Sequence, residues 1–181
     1  MDARRAGACD ELASLHRTID QRVLEFSTLL IAARRDSPDL ERLLGVLGDI
    51  QRLLAISADA EEAFLFPPLE AWLGGANGPL DRARRAHEQL RLRFRDYWAS
   101  TERLLFAPPS DRAERRILVH RGHELIAAIE ETLGLEDEYI FRFAERVLGE
   151  VRAAEVARQI GLKIGQSMSP GLVRLAKAAS A

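Results

Sequence analysis

Four side chains of cation-binding type stand at places where a helix should bury apolar surface. His16 lies among Leu12, Ile19 and Val23, and His87 among Leu80, Ala83, Leu90 and Phe94. Glu61 falls in helical register with Ile50, Leu54, Ser57, Phe64 and Leu65, and Glu136 opens the similar stretch EDEYIFRFAERVL. A lone ionised carboxylate in an apolar core costs several kcal/mol even after relaxation, and two facing each other also repel. A pair of divalent cations reverses this, because the glutamates become ligands and bridges. Imidazole and carboxylate together suit iron, manganese or zinc. Carboxylate bridges with histidine terminal ligands are the chemistry of non-haem di-iron centres. Taken singly, each residue has an ordinary reading: a histidine on an apolar stripe is a hydrogen-bonded core residue, and an acidic pair before an aromatic run is a solvated helix edge.

An internal repeat couples the four. Residues 61–73, EEAFLFPPLEAWL, align without gaps on 136–148, EDEYIFRFAERVL, so that Glu61 matches Glu136, Phe66 matches Phe141 and Glu70 matches Glu145. Upstream of each copy runs a segment with one histidine on its apolar stripe. The chain therefore reads as two helical hairpins, each offering one His and one Glu to the interior.

The elements that position these residues are legible from punctuation and period. Proline and glycine cluster at 34–41, 66–81, 106–114 and 167–171, and between them apolar residues recur at spacings of three and four, without period-two alternation. Four helices are predicted, over about 8–34, 39–73, 79–105 and 111–148. Ser37 or Asp39 would cap the second, with Pro38 near its first turn, and Ser110 the fourth. Short connections make successive helices antiparallel, which predicts an all-α, up-down-up-down four-helix bundle. A further segment, 150–179, is expected to be interrupted at Gly161, Gly165 and Pro170. The chain thus divides into a bundle at 1–150 and a helical tail at 151–181; the tail carries five Lys/Arg against one Glu and packs on the bundle or on a partner.

Composition sets the outer limits. The 181 residues suffice for one domain with a substantial core. A net charge of −2, with 47% hydrophobic and 30% charged residues, gives no electrostatic basis for nucleic-acid binding. The single cysteine, Cys9, in a short polar lead, excludes a disulfide framework and a Cys-based zinc site, and is expected to be inert. No run of about 18 apolar residues suggests a membrane span, and the N-terminus lacks the apolar core of a secretion signal, so a reduced cytoplasm is the expected compartment. His120 and His123 lie about 20–24 Å along the helix from Glu136 and project to its other side, which makes them surface residues.

LHRTID (15–20), EEAFLFPPLE (61–70), AHEQL (86–90) and EDEYIFRFAERVL (136–148) resemble the four helices of the hemerythrin-like HHE cation-binding domain, over about residues 10–150. The family pattern is a His on helix one, His-x-x-x-Glu on helix two, a His on helix three and His-x-x-x-Glu on helix four. His16, Glu61, His87 and Glu136 match it as metal ligands. Ser57 and Thr132 stand where two further histidines belong, so both copies depart from the family at the same place. The resemblance implies a pair of irons bridged by Glu61 and Glu136, each iron keeping one histidine, with manganese or zinc as alternatives.

Vacant coordination positions favour substrate or peroxide binding over reversible oxygen storage. Ser57 and Thr132 would hold a metal-bound water or shape a small pocket, with Asp20 and Tyr139 as supporting or supplementary groups. The expected function is that of a variant di-iron protein whose His/Glu site acts oxidatively on O2, peroxide or a small molecule; as an enzyme it would be a non-haem di-iron oxidoreductase of oxygenase or peroxidase type. The other readings are a metal-free bundle serving as an interaction or regulatory module, and a sensor of metal, O2 or nitric oxide. The expected partners are these small molecules, without nucleic acid or membrane, plus self-association or a protein docked through the tail.

Overall fold

The computed structural model describes residues 7–35, 39–74, 78–106 and 112–168. Helix α1 (Asp10–Arg35) has Asp10 and Glu11 in its first turn and Arg34 and Arg35 in its last, charges that complement the helix dipole. Helix α2 (Leu40–Ala60) begins at Asp39, whose carboxylate accepts the Arg42 backbone N–H at 3.0 Å. The other anticipated start residues, Ser37, Pro38 and Ser110, lie outside the described residues.

The long second and fourth helices are not the uninterrupted α-helices that the periodicity predicts. Helix α2 widens into a π segment, Glu61–Leu65, before α3 (Phe66–Leu73) continues it. After α4 (Gly78–Phe106), helix α5 (Arg112–Leu135) widens likewise at Glu136–Phe141 before α6 (Arg142–Val147). Pro67 and Pro68 follow the first π segment and cannot donate ladder hydrogen bonds. They are not the shared cause, since Arg142 and Phe143 occupy the equivalent places in the second copy. What the two π segments have in common is a buried glutamate as first residue. Helix α3 closes on Gly74, whose φ of +62° is the left-handed cap conformation and whose N–H meets the Glu70 carbonyl at 3.1 Å.

Each hairpin, α1–α2 and α4–α5, packs against the other so that α1 meets α5 and α2 meets α4, closing a four-helix bundle. Gly122 permits the approach of α5 to α1 and α4. A Cβ there would stand 2.5 Å from Leu30 Cδ1, on a fully buried side chain, and 3.1 Å from the Tyr97 hydroxyl. The core is in two parts. One contains Leu15, Ile19, Phe26, Leu47, Ile56, Leu90, Phe94, Ile129 and Leu133; the other contains Leu12, Ala60, Leu65, Phe66, Ala83, Ile140 and Phe141. On each of the four long elements the change from one cluster to the other falls at the ligand-type residue. His16, Glu61, His87 and Glu136 thus form one polar layer between two apolar masses.

Helix α7 (Glu150–Met168) lies against α1, α2 and the first π segment, with Val156 and Ile160 buried in the second cluster. It runs through Gly161 and Gly165, where the sequence suggested interruptions. Each glycine costs up to about 1 kcal/mol relative to alanine, whereas full burial of one aliphatic side chain contributes about 1.5–3 kcal/mol, so docking outweighs propensity. Pro170 and the rest of the tail lie outside the described residues. Cys9 is not in a solvated lead either: it is buried with Ala8 and Leu12 in the second cluster, and burial pushes its thiol pKa well up, which suits an unreactive thiol.

Candidate metal centre

Helices α1 and α4 deliver the two histidines, and the first residues of the two π segments deliver the two glutamates. All four are buried, Glu61 completely. In the first hairpin a hydroxyl stands between the pair. Ser57 Oγ donates to Glu61 Oε1 at 2.9 Å and receives His16 Nε2–H at 3.1 Å, while His16 Nε2 and Glu61 Oε1 are themselves 3.7 Å apart. In the second hairpin the equivalent contact is direct: His87 Nε2 meets Glu136 Oε1 at 2.6 Å. The Thr132 hydroxyl turns back to donate to the Ala128 carbonyl of its own helix at 2.9 Å. Across the hairpins, His16 Nε2 lies 3.5 Å from Glu136 Oε2 and His87 Nε2 lies 3.8 Å from Glu61 Oε2.

The outer faces of both histidines are held by the opposite hairpin. His16 Nδ1 pairs with Asp137 Oδ1 at 2.9 Å, and the ring stacks on Phe141 at a centroid distance of 5.1 Å. His87 Nδ1 pairs with Glu62 Oε1 at 2.7 Å, and its ring lies over Phe66 at 6.1 Å and 8°. Asp137 and Glu62 are the second acids of the duplicated ED and EE pairs, and Phe141 and Phe66 are likewise equivalent by the repeat. A carboxylate on Nδ1 fixes the imidazole with its proton on that side and presents Nε2 to the interior, the tautomer that a metal-ligating histidine needs.

Both nitrogens of each ring face acceptors, and this decides the proton inventory. Burial works against charge on His16, but the hydrogen bond to Asp137 and the nearby negative charges of Glu61 and Glu136 outweigh it and lift its pKa to about 10. His87 responds in the same way, with burial opposed mainly by Glu136, and reaches about 9. Glu136 is pushed up to about 7 by burial and by the charge of Glu61, against the pull of His87. The layer thus stores protons where a cation would otherwise sit.

The donor set fits a metal. His16, Glu61 and Glu136 each present a ligand atom, all within 4.8 Å of one another, and His87 Nε2 adjoins the same two carboxylates. Glu61 Oε2 is buried without a hydrogen-bond partner among the described residues. Leaving a buried acceptor unsatisfied costs about 1–3 kcal/mol, more when it is charged, and a cation is the partner that would remove that cost.

The remaining sequence candidates stand further out. Asp20 is exposed at the surface, close enough for its charge to interact with His16, and its own carboxyl pKa is raised by partial burial. Tyr139 is 62% exposed and lines an outer cleft between α4 and α5. His120 and His123 are exposed, as the spacing predicts, with His120 3.6 Å from Glu124. Glu62 and Asp137 were missed as clamps, although the duplicated acidic dipeptide carried the signal. Among the described residues no helix is long and apolar enough to cross a membrane.

A bundle in which each of two hairpins contributes one inward His and one inward Glu to a buried layer has the architecture of a carboxylate–histidine metal protein. The chain matches the model of the hemerythrin HHE cation-binding domain over residues 8–144, and it belongs to that family. No curated protein and no solved structure matches it.

Proposed function

We propose that the layer is a di-iron centre held by His16, Glu61, His87 and Glu136, open to O2, peroxide or a small organic substrate, and that the protein is a non-haem di-iron oxidoreductase. The observation that carries this reading is the convergence of two buried carboxylates, one with an orphaned oxygen, and two histidines whose Nε2 atoms face them. When bound, an iron pair supplies one- and two-electron chemistry toward oxygen or peroxide.

The protein's own part is positional and protonic. Asp137 and Glu62 hold the histidine tautomers, Phe141 and Phe66 fix the ring planes, and the two apolar clusters above and below exclude water. Ser57 offers a hydroxyl between His16 and Glu61 through which a proton can pass. With Ser57 and Thr132 in the places of two family histidines, the donor set is weighted toward carboxylate, which favours an open, reactive site over a saturated one. Anaerobic loading with ferrous iron should give about two irons per chain, as in other carboxylate-bridged bundles, and a change of absorption on admitting air. Uptake of no iron overturns the proposal.

A second reading has one observation in its favour: the histidines and glutamates already satisfy most of each other's hydrogen bonds without a cation. On that reading the bundle is a metal-free interaction or regulatory module. Melting with and without ferrous, manganous or zinc ions separates the two, since a ligand that binds only the folded state must raise the melting temperature.

A further inference from the structure

A cavity of about 160 Å³ lies between α2, α4 and α5 beside the polar layer. Leu54, Ala58, Leu90 and Phe94 supply its apolar wall; Ser57, Thr132, His87 and Glu136 form one polar end. Thr132 is much smaller than an imidazole, and its hydroxyl proton is committed to the Ala128 carbonyl, so it neither fills this space nor adds a free donor to it. An apolar protein cavity of about 150 Å³ is known to hold benzene, so the volume admits one six-membered ring or a short branched chain.

The apolar wall selects against ions, since a charge buried there without a partner of its own costs several kcal/mol. An anion finds no uncommitted donor at the polar end, since the Ser57 hydroxyl is directed to Glu61, His87 Nε2 to Glu136 and the Thr132 hydroxyl to Ala128. At the mouth, Arg91 is exposed and pairs with Glu88 at 3.0 Å, so its charge is solvated and partly offset. A cation is not favoured either, because His87 Nε2 already stands 2.6 Å from the Glu136 oxygen on this side.

We propose that this cavity binds a neutral, largely apolar molecule of about benzene size carrying one hydroxyl-type group, with that group hydrogen-bonded at the His87–Glu136 end. As a binding site it stands on the cavity itself; as the seat of a substrate it rests on the metal-centre reading above.

The test is titration of the full chain, as purified and again after ferrous loading, with phenol as the probe and benzoate and butylammonium as charged controls. Binding is read by calorimetry and by the shift in melting temperature. Phenol should bind and both ions should bind at least about tenfold more weakly, a difference of about 1.4 kcal/mol. Ala58→Leu, which fills the cavity from its apolar wall, should weaken phenol about tenfold or more while the circular dichroism of the bundle is retained. Should that variant not fold, Leu54→Phe fills the same wall from a half-buried position and must give the same loss. No phenol binding to the parent chain, unchanged binding in a folded cavity-filled variant, or preference for benzoate or butylammonium each overturns the proposal. Phenol binding that persists in a chain taking up no iron supports the cavity and overturns the metal reading alone.

Discussion

The two halves of the polar layer are built from equivalent residues and yet are wired differently. On the Ser57 side a hydroxyl bridges histidine and glutamate; on the Thr132 side histidine and glutamate touch, and the hydroxyl is withdrawn into the helix. Both replacements are small hydroxyl residues, so residue type does not explain the difference. What differs is the partner each hydroxyl finds: Ser57 lies between His16 and Glu61, whereas His87 and Glu136 already meet directly and leave Thr132 its own helix carbonyl. One side of the layer has become a relay and the other a direct contact.

The largest expected effects test whether the halves are equivalent toward metal. Glu61→Ala and Glu136→Ala should each abolish iron uptake, measured as iron per chain after anaerobic loading. A variant of either kind that still takes up about two irons would show that its half is dispensable.

A proton titration of the metal-free chain should come next in size. Both histidines hold their protons more tightly in the folded than in the unfolded chain, whose histidines titrate near 6.5. Their stabilisation is complete below that value and is lost as pH rises, through about 9 for His87 and about 10 for His16. The loss should be on the order of a few kcal/mol, read from denaturant midpoints. Glu136, raised from 4.5 to about 7, also binds its proton more tightly when folded and adds an earlier loss across that interval. Metal affinity should run the other way and rise with pH, because protons and cations compete for the same atoms.

Asp137→Asn and Glu62→Gln should each weaken metal binding about 10- to 100-fold, in competition with a chromophoric chelator, with the bundle intact. Equal losses mean that the clamps are interchangeable; a larger loss in one names the dominant half. The smallest effects fall on the hydroxyls. Ser57→Ala should cost about 1–2 kcal/mol in thermal stability, since it leaves His16 and Glu61 facing across 3.7 Å without their bridge. Thr132→Val should cost less than about 1 kcal/mol, since only a local bond to the helix is lost. Similar costs for the two would mean that the relay contributes nothing.

Much of this was legible in the sequence, because the information was local or duplicated. Apolar spacings of three and four and a few proline and glycine breaks are enough for four antiparallel helices, and the repeat ties the His and Glu positions together. What escaped depends on hydrogen-bond register and on neighbours. A π segment changes which carbonyl each N–H meets without changing the composition of the stretch, so EEAFLFPPLE reads as plain α-helix. Tyr139, three residues after Glu136 and inward-facing on a regular helix, is on the outside, whereas its counterpart Phe64 is half-buried against the second cluster. Glu62 and Asp137 lie one residue beyond the ligand-type glutamates, off the buried stripe, and gain their role only from a histidine on the other hairpin.

That exchange of clamps has a consequence for assembly. In space the contacts are isologous, like those of a two-fold dimer: each hairpin completes the histidine of the other. Along the chain they are unequal, for the His87 clamp closes a separation of 25 residues and the His16 clamp one of 121. During synthesis the clamp of Glu62 on His87 can close once α4 has docked on the first hairpin. The Asp137 clamp on His16 and the His87–Glu136 contact both wait until the second π segment has folded, and of the two clamps that on His16 closes the longer loop, at the greater cost in loop-closure entropy.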